Sequence, residues 1–250
     1  MLYCHFSKKN RLREYRRKIP VWIMLLMFCM AGMTANVFAE TYDGYPPSPG
    51  WVRALPSADT ASQMLTVVGE DVPNAAVSLH EKDSSGTWRE ILSTYGYIGR
   101  EGIGKTEEGD ALTPAGVFHF TEAFGIEPDP GCEIPYHQVD EYDYWSCDQR
   151  PGYAYNHLVN LADYPDLDTE SSEHLIDCTG FYEYCLNISW NEEGVPGMGS
   201  AIFLHCINPD MPYTEGCVAI PEEDMIQVMQ RVHPDCVVII DTYQELRSEK

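Results

Sequence analysis

Apolar residues along this chain gather in short runs bounded by turn-forming residues, which is the pattern of strands. Seven such runs stand out, at 63–68, 76–81, 88–97, 116–121, 184–190, 201–206 and 236–241. Only 221–232 has a convincing helical period. Pro221 takes the first position, where its missing N–H costs nothing, and Glu222, Glu223 and Asp224 meet the positive end of the helix. Met225, Val228, Met229 and Val232 then form its apolar stripe. There is no internal repeat and no heptad array. The expected fold is mainly β, of sandwich type, with one clear helix in the C-terminal region.

The longest apolar run is of another kind. Lys8, Lys9, Arg11, Arg13, Arg16, Arg17 and Lys18 precede the apolar stretch 21–33, and Val37-Phe38-Ala39 before Glu40 offers small residues at both recognition positions of a signal peptidase. Residues 1–39 therefore read as an export signal. The uncharged span 19–39 is also just long enough to cross a bilayer, so membrane attachment as an uncleaved anchor is the alternative. In both cases the basic flank stays cytoplasmic and the remainder is exported, to the cell wall or the outer face of the cytoplasmic membrane. Residues 40–60 are rich in Pro and turn formers and are expected to be a linker without packed structure, followed by one domain over 61–245.

Composition and charge narrow the partners. The chain has 250 residues, 44% of them hydrophobic, enough for one full-sized core. Seven of its 16 basic residues and one of its 39 acidic ones precede Glu40, which leaves the exported part with a net charge of −29. Such a domain repels nucleic acid and anionic bilayers; its charge reads as solubility in a wall or extracellular space, or, as the alternative, as affinity for a cation or an amine-bearing wall peptide. Residues 136–170 are too polar for a core strand pair and too aromatic for a free linker, with Tyr136, Tyr142, Tyr144, Trp145, Tyr153, Tyr155 and Tyr164. A flap packed over the domain fits them, its rings either packing on themselves or stacking on a sugar or peptide stem.

Candidate chemistry sits near the C-terminal end. The run Ser200 to Cys206, entered through Gly197-Met198-Gly199, reads as a buried strand that ends in His205. A turn through Pro212 to Gly216 then delivers Cys217. A thiol attacks well only as thiolate, and an imidazole is one of the few groups that can generate it near neutral pH. His205 and Cys217 are thus the expected base and nucleophile. Gly216 lets backbone approach a substrate closely, so the N–H groups of Gly216 and Cys217 are expected to face a developing oxyanion, with Thr214 beside them.

These residues resemble the L,D-transpeptidases with a YkuD-type catalytic domain, whose signature is a strand ending in His, a loop, Ser or Thr, a variable position or His, then Gly, Cys and an apolar residue. Here it reads His205, Thr214, Glu215, Gly216, Cys217, Val218. Upstream, Thr113-Pro114-Ala115-Gly116 looks like the strand entry that opens this domain, and the resemblance covers roughly 90–241. Two departures stand out: Glu215 where many members have His, and Ala219 where many have Arg or Asn. The resemblance implies a β-sandwich and no cofactor. It also implies acyl transfer on peptidoglycan stem peptides, with Cys217 releasing D-Ala from a tetrapeptide and an amine or water resolving the thioester. A wall-binding module without catalysis is the alternative from another class.

Other motifs carry less. Gly99 to Thr106 satisfies the P-loop pattern, yet turn residues and acids follow where a helix must begin, so no nucleotide is expected. Asp166, Asp168 and Glu170 have calcium-loop spacing, but Ser171 stands where the sharp turn needs Gly. Asn187-Ile188-Ser189 is a sequon inside an expected strand. His205, Cys217, His233 and Cys236 are zinc-ligand types without two close pairs, and no metal is expected. Seven exported cysteines suit three disulfides and one free thiol. Local spacing favours Cys132–Cys147, Cys178–Cys185 and Cys206–Cys236 among the 15 pairings that six cysteines allow, with Cys217 left free.

Overall fold

The computed structural model describes residues 44–247. The segment 1–39, with its expected cleavage site and anchor span, lies outside the described residues. Twelve strands form among them: β1 (Gln63–Gly69), β2 (Asn74–Lys82), β3 (Trp88–Tyr97), β4 (Gly116–Gly125), β5 (Tyr136–Gln138), β6 (Asp143–Trp145), β7 (Leu158–Asn160), β8 (Glu173–His174), β9 (Cys185–Ile188), β10 (Phe203–Cys206), β11 (Val218–Ile220) and β12 (Val237–Thr242). Helix α1 is Gly50–Arg53, α2 is Glu222–Met229 and α3 is Tyr243–Arg247. Each of the seven predicted runs overlaps a strand, and the helix predicted over 221–232 is the shorter α2, with Pro221 as its cap.

Nine strands make one sheet in the order β12-β1-β2-β3-β11-β10-β9-β4-β5, and β12 also pairs with the first half of β4. The sheet therefore closes on itself, which removes most of its edges. Its interior is the main core, with Leu65, Val67, Leu79, Leu204, Val218 and Val238 among the contributors. The stripe of α2 joins it through Met225, Val228 and Met229, with Val232 just beyond the helix, all fully buried, each burial contributing roughly 1.5–3 kcal/mol.

Two stretches are more ordered than their composition suggests. Residues 44–60 do not trail as a linker. Val52 and Ala58 are buried against Met64, Trp88 and Ile239, with Trp51 and Leu55 packed alongside. This covers the outer face of β1, which is why all seven of its residues are buried. The Tyr-rich insert supplies β6 and β7, which with β8 form a small second sheet in the order β7-β6-β8. Its Trp145 is completely buried and stacks on Phe124 at a ring-centroid distance of 5.7 Å. The insert is thus packed onto the domain, with Trp145 as its most deeply buried aromatic side chain.

Alternation along β10 separates structure from chemistry. Successive strand residues point to opposite faces, so Leu204 and Cys206 enter the main core while Phe203 and His205 point the other way. Phe203 lies edge-on to Phe124, Trp145 and Tyr182, with centroids 5.1, 4.7 and 5.5 Å away. Such pairs contribute about 0.5–1.5 kcal/mol each beyond area burial. This aromatic cluster is the floor on which the site is built.

Candidate active site

Cys217 is held by its backbone. Its carbonyl accepts from Thr214 Oγ1 at 2.7 Å and from Thr113 Oγ1 at 3.2 Å, and Thr113 Oγ1 in turn accepts the Gly99 N–H at 2.8 Å. Gly216 has φ +143°, a conformation that L side chains rarely adopt, and a Cβ there would stand 2.9 Å from the Leu112 carbonyl oxygen. Glycine is therefore required for the turn to enter β11 at this point. β11 runs parallel to β10 with Leu204 opposite Val218 and His205 opposite Ala219, which sets Cys217 beside Phe203 on the face that also carries His205.

The thiol accepts from the Phe203 N–H at 3.4 Å and donates to the Ala201 carbonyl at 3.1 Å. His205 is bonded through Nδ1 to the Cys206 carbonyl at 2.8 Å. A carbonyl only accepts, so Nδ1 carries the hydrogen and Nε2 presents its lone pair. Tyr182 and Phe181 hold the imidazole edge-on, with centroids at 5.5 and 6.2 Å. Among the described residues no hydrogen bond joins His205 to Cys217. Both groups rest uncharged: burial pushes the Cys217 thiol up to about 12 and the His205 imidazole down to about 4. Of the charges facing the thiol, Glu173 raises its pKa and Lys105 lowers it.

Cys217 opens onto a cavity of about 180 Å³ whose walls come from five parts of the chain. Lys105, Glu108 and Gly109 form one side, and Cys147 and Gln149 of the insert another. Glu173, Tyr182 and Ser200 to Ile202 line it as well, together with Glu215 of the nucleophile's turn. Lys105 is nearly sealed and pairs with Asp110 at 2.8 Å, whose carboxylate also accepts the N–H groups of Thr106, Glu107 and Leu112. Glu108 accepts from Tyr155 and from Ser200, the latter at 2.8 Å. Glu215 pairs with Arg100.

Two of the expected site residues serve the framework. Thr214 is fully buried, and its hydroxyl bridges the Gly216 N–H, at 3.1 Å, to the Cys217 carbonyl, so it holds the turn and does not face a substrate. The Gly216 N–H is engaged by that same bond and cannot meet an oxyanion without breaking it. The local disulfide pairs do not form either, because Cys132, Cys147, Cys185, Cys206, Cys217 and Cys236 are all free thiols. Cys206, on β10, and Cys236, just before β12, lie in the main core with β9 and β4 between those two strands, whereas Cys147 and Cys185 lie elsewhere, at the cavity and in the aromatic cluster. His233 pairs with Glu133 at 3.0 Å, and among the described residues no three of the zinc-type side chains are grouped to hold a metal ion.

The sequence profile of YkuD, the L,D-transpeptidase catalytic domain, matches residues 58–240. The chain belongs to this family. Solved structures similar to this member include the helical cell shape determining protein Pgp2 from Campylobacter jejuni, at 15% identity and TM-score 0.37 over 72% of this chain and 48% of that one. The Ldtfm-avibactam carbamoyl enzyme is similar at 15% identity and TM-score 0.34, over 72% and 49%. The chain thus spans about half the length of each, and at these scores the family assignment rests on the profile alone. No curated protein matches in a whole-sequence comparison. Within this YkuD domain, the Glu215 departure is tied to Arg100, and Ala219 pairs across the sheet with both His205 and Tyr97. Sequence reading missed Glu108, Cys147, Glu173 and Tyr182 as cavity residues, and it met Lys105 only inside a false P-loop.

Proposed function

We propose that the protein is an exported peptidoglycan L,D-transpeptidase in which Cys217 attacks the amide before the terminal D-Ala of a stem tetrapeptide. The observation that carries this reading is the placement of a cavity-facing thiol on the same sheet face as an imidazole whose Nε2 is a fixed acceptor. Rotation of the thiol away from the Ala201 carbonyl is the first step. The proton passes from Sγ to His205 Nε2, and sulfur bonds to the carbonyl carbon. When the C–N bond breaks, the imidazolium returns its proton to the leaving D-Ala amine, and a thioester remains. An amine from a second stem then forms a cross-link, or water gives L,D-carboxypeptidase activity.

The test is incubation of the domain with a tetrapeptide stem, with and without an amine-bearing acceptor. D-Ala release with a cross-linked dimer among the products is expected; tripeptide as the sole product assigns the carboxypeptidase. The neutral, unbonded resting pair favours one other reading, a wall-binding module without turnover, and stem binding without any D-Ala release would establish it. Export is part of the proposal. The first residue of protein recovered from its native envelope is expected at Glu40, and an intact N-terminus in the membrane fraction would make 19–39 an anchor.

A further inference from the structure

The charges lining the cavity are unequally satisfied. Lys105 has Asp110, Glu215 has Arg100, and Glu108 receives two hydroxyls. Glu173 receives one: the Tyr182 hydroxyl bonds its Oε2 at 2.7 Å. Among the described residues no cation pairs with this carboxylate and nothing donates to its other oxygen. Its side chain nevertheless lines the same small cavity as Cys217 and is fixed there by a tyrosine whose ring packs on both Phe203 and His205. A carboxylate held in a confined site beside the nucleophile, with an oxygen to spare, is half of an ion pair.

We infer that Glu173 is a specificity-determining residue, which receives a protonated primary amine carried by the substrate on the residue that supplies the scissile carbonyl. This deepens the proposed transpeptidase reading and rests on it. Glu173 and Cys217 line one and the same cavity, so a cation that reaches Glu173 while Cys217 attacks is carried close to the scissile carbonyl, as the side chain of the attacked residue is. Selection follows from the cost of the alternative. A neutral or acylated side chain leaves the carboxylate desolvated and unpaired. Charge compensation also helps the nucleophile, since Glu173 is one of the charges that oppose thiolate formation.

The experiment compares two donor tetrapeptides that differ only in whether the side-chain amine of the third residue is free or N-acetylated, measuring kcat/KM for D-Ala release. Wild-type protein is expected to prefer the free amine by on the order of tenfold to a hundredfold. Glu173→Gln keeps an acceptor for the Tyr182 hydroxyl and removes the charge; it is expected to lose most of that preference, while Glu173→Asp retains part of it. D-Ala release from both donors at equal efficiency would overturn the inference and leave the transpeptidase reading standing. So would an unchanged preference in Glu173→Gln. Release from neither donor would overturn the reading itself, and the inference with it. The wild-type comparison requires no variant to fold.

Discussion

Cys217→Ser is expected to abolish D-Ala release, by at least roughly 10³-fold, while leaving the fold intact. The hydroxyl can take over both bonds of the thiol, accepting from the Phe203 N–H and donating to the Ala201 carbonyl, so packing is conserved and only nucleophilicity is lost. His205→Gln is the matching probe for the base. An amide at that position can still donate to the Cys206 carbonyl, but it offers no basic nitrogen to the thiol. It is expected to fall to a similar residual rate. Near-native turnover in Cys217→Ser would remove the nucleophile assignment, and near-native turnover in His205→Gln would require another base.

A second large effect concerns stability in acid. His80 is completely buried between Ser48 Oγ at 3.1 Å and Thr66 Oγ1 at 3.3 Å, and burial lowers its pKa to about 4, as it does for His205. The unfolded imidazoles bind a proton near 6.5, so between about pH 6.5 and 4 the unfolded state holds more protons and stability falls as pH falls. At pH 5 each histidine is expected to have cost about 2 kcal/mol relative to neutral pH. Glu122 and Glu173, whose carboxyls burial raises, act in the opposite sense, which makes a variant comparison necessary. His80→Asn keeps polar partners for Ser48 and Thr66 and removes the titration. The gap in unfolding free energy between wild type and His80→Asn, from urea titrations at pH 7.5 and pH 5, should therefore shrink by about 2 kcal/mol at the lower pH. An equal gap at both values would show that His80 is not held neutral.

The sequence showed most of the long strands, the one clear helix and the centre of the site, for physical reasons that also explain what it hid. Strands such as β3 and β12 carry their own apolar pattern, and α2 carries a cap and a stripe, so local chemistry and final fold agree. β6 to β8 are two or three residues long, and their one strong signal, Trp145, sits among Asp and Tyr. Residues 44–60 were masked by their prolines, although Trp51, Val52 and Leu55 already gave a short apolar face. Counting cysteines by parity ignored sheet faces, and β10 points Cys206 into the main core and away from His205. Glu173 and Tyr182 reach the cavity only through tertiary packing, which no spacing rule encodes.

The nucleophile can be tested without any peptide substrate. A carbapenem is an activated acyl donor whose ring opening expels no leaving group, so attack by a thiol adds the whole molecule to the protein. Intact-mass measurement of the domain after exposure to a carbapenem, followed by peptide mapping, is expected to show a single adduct on Cys217 and none on Cys217→Ser. An unmodified wild-type protein, or an adduct on Cys147 across the same cavity, would contradict the assignment of Cys217 as the acylated residue.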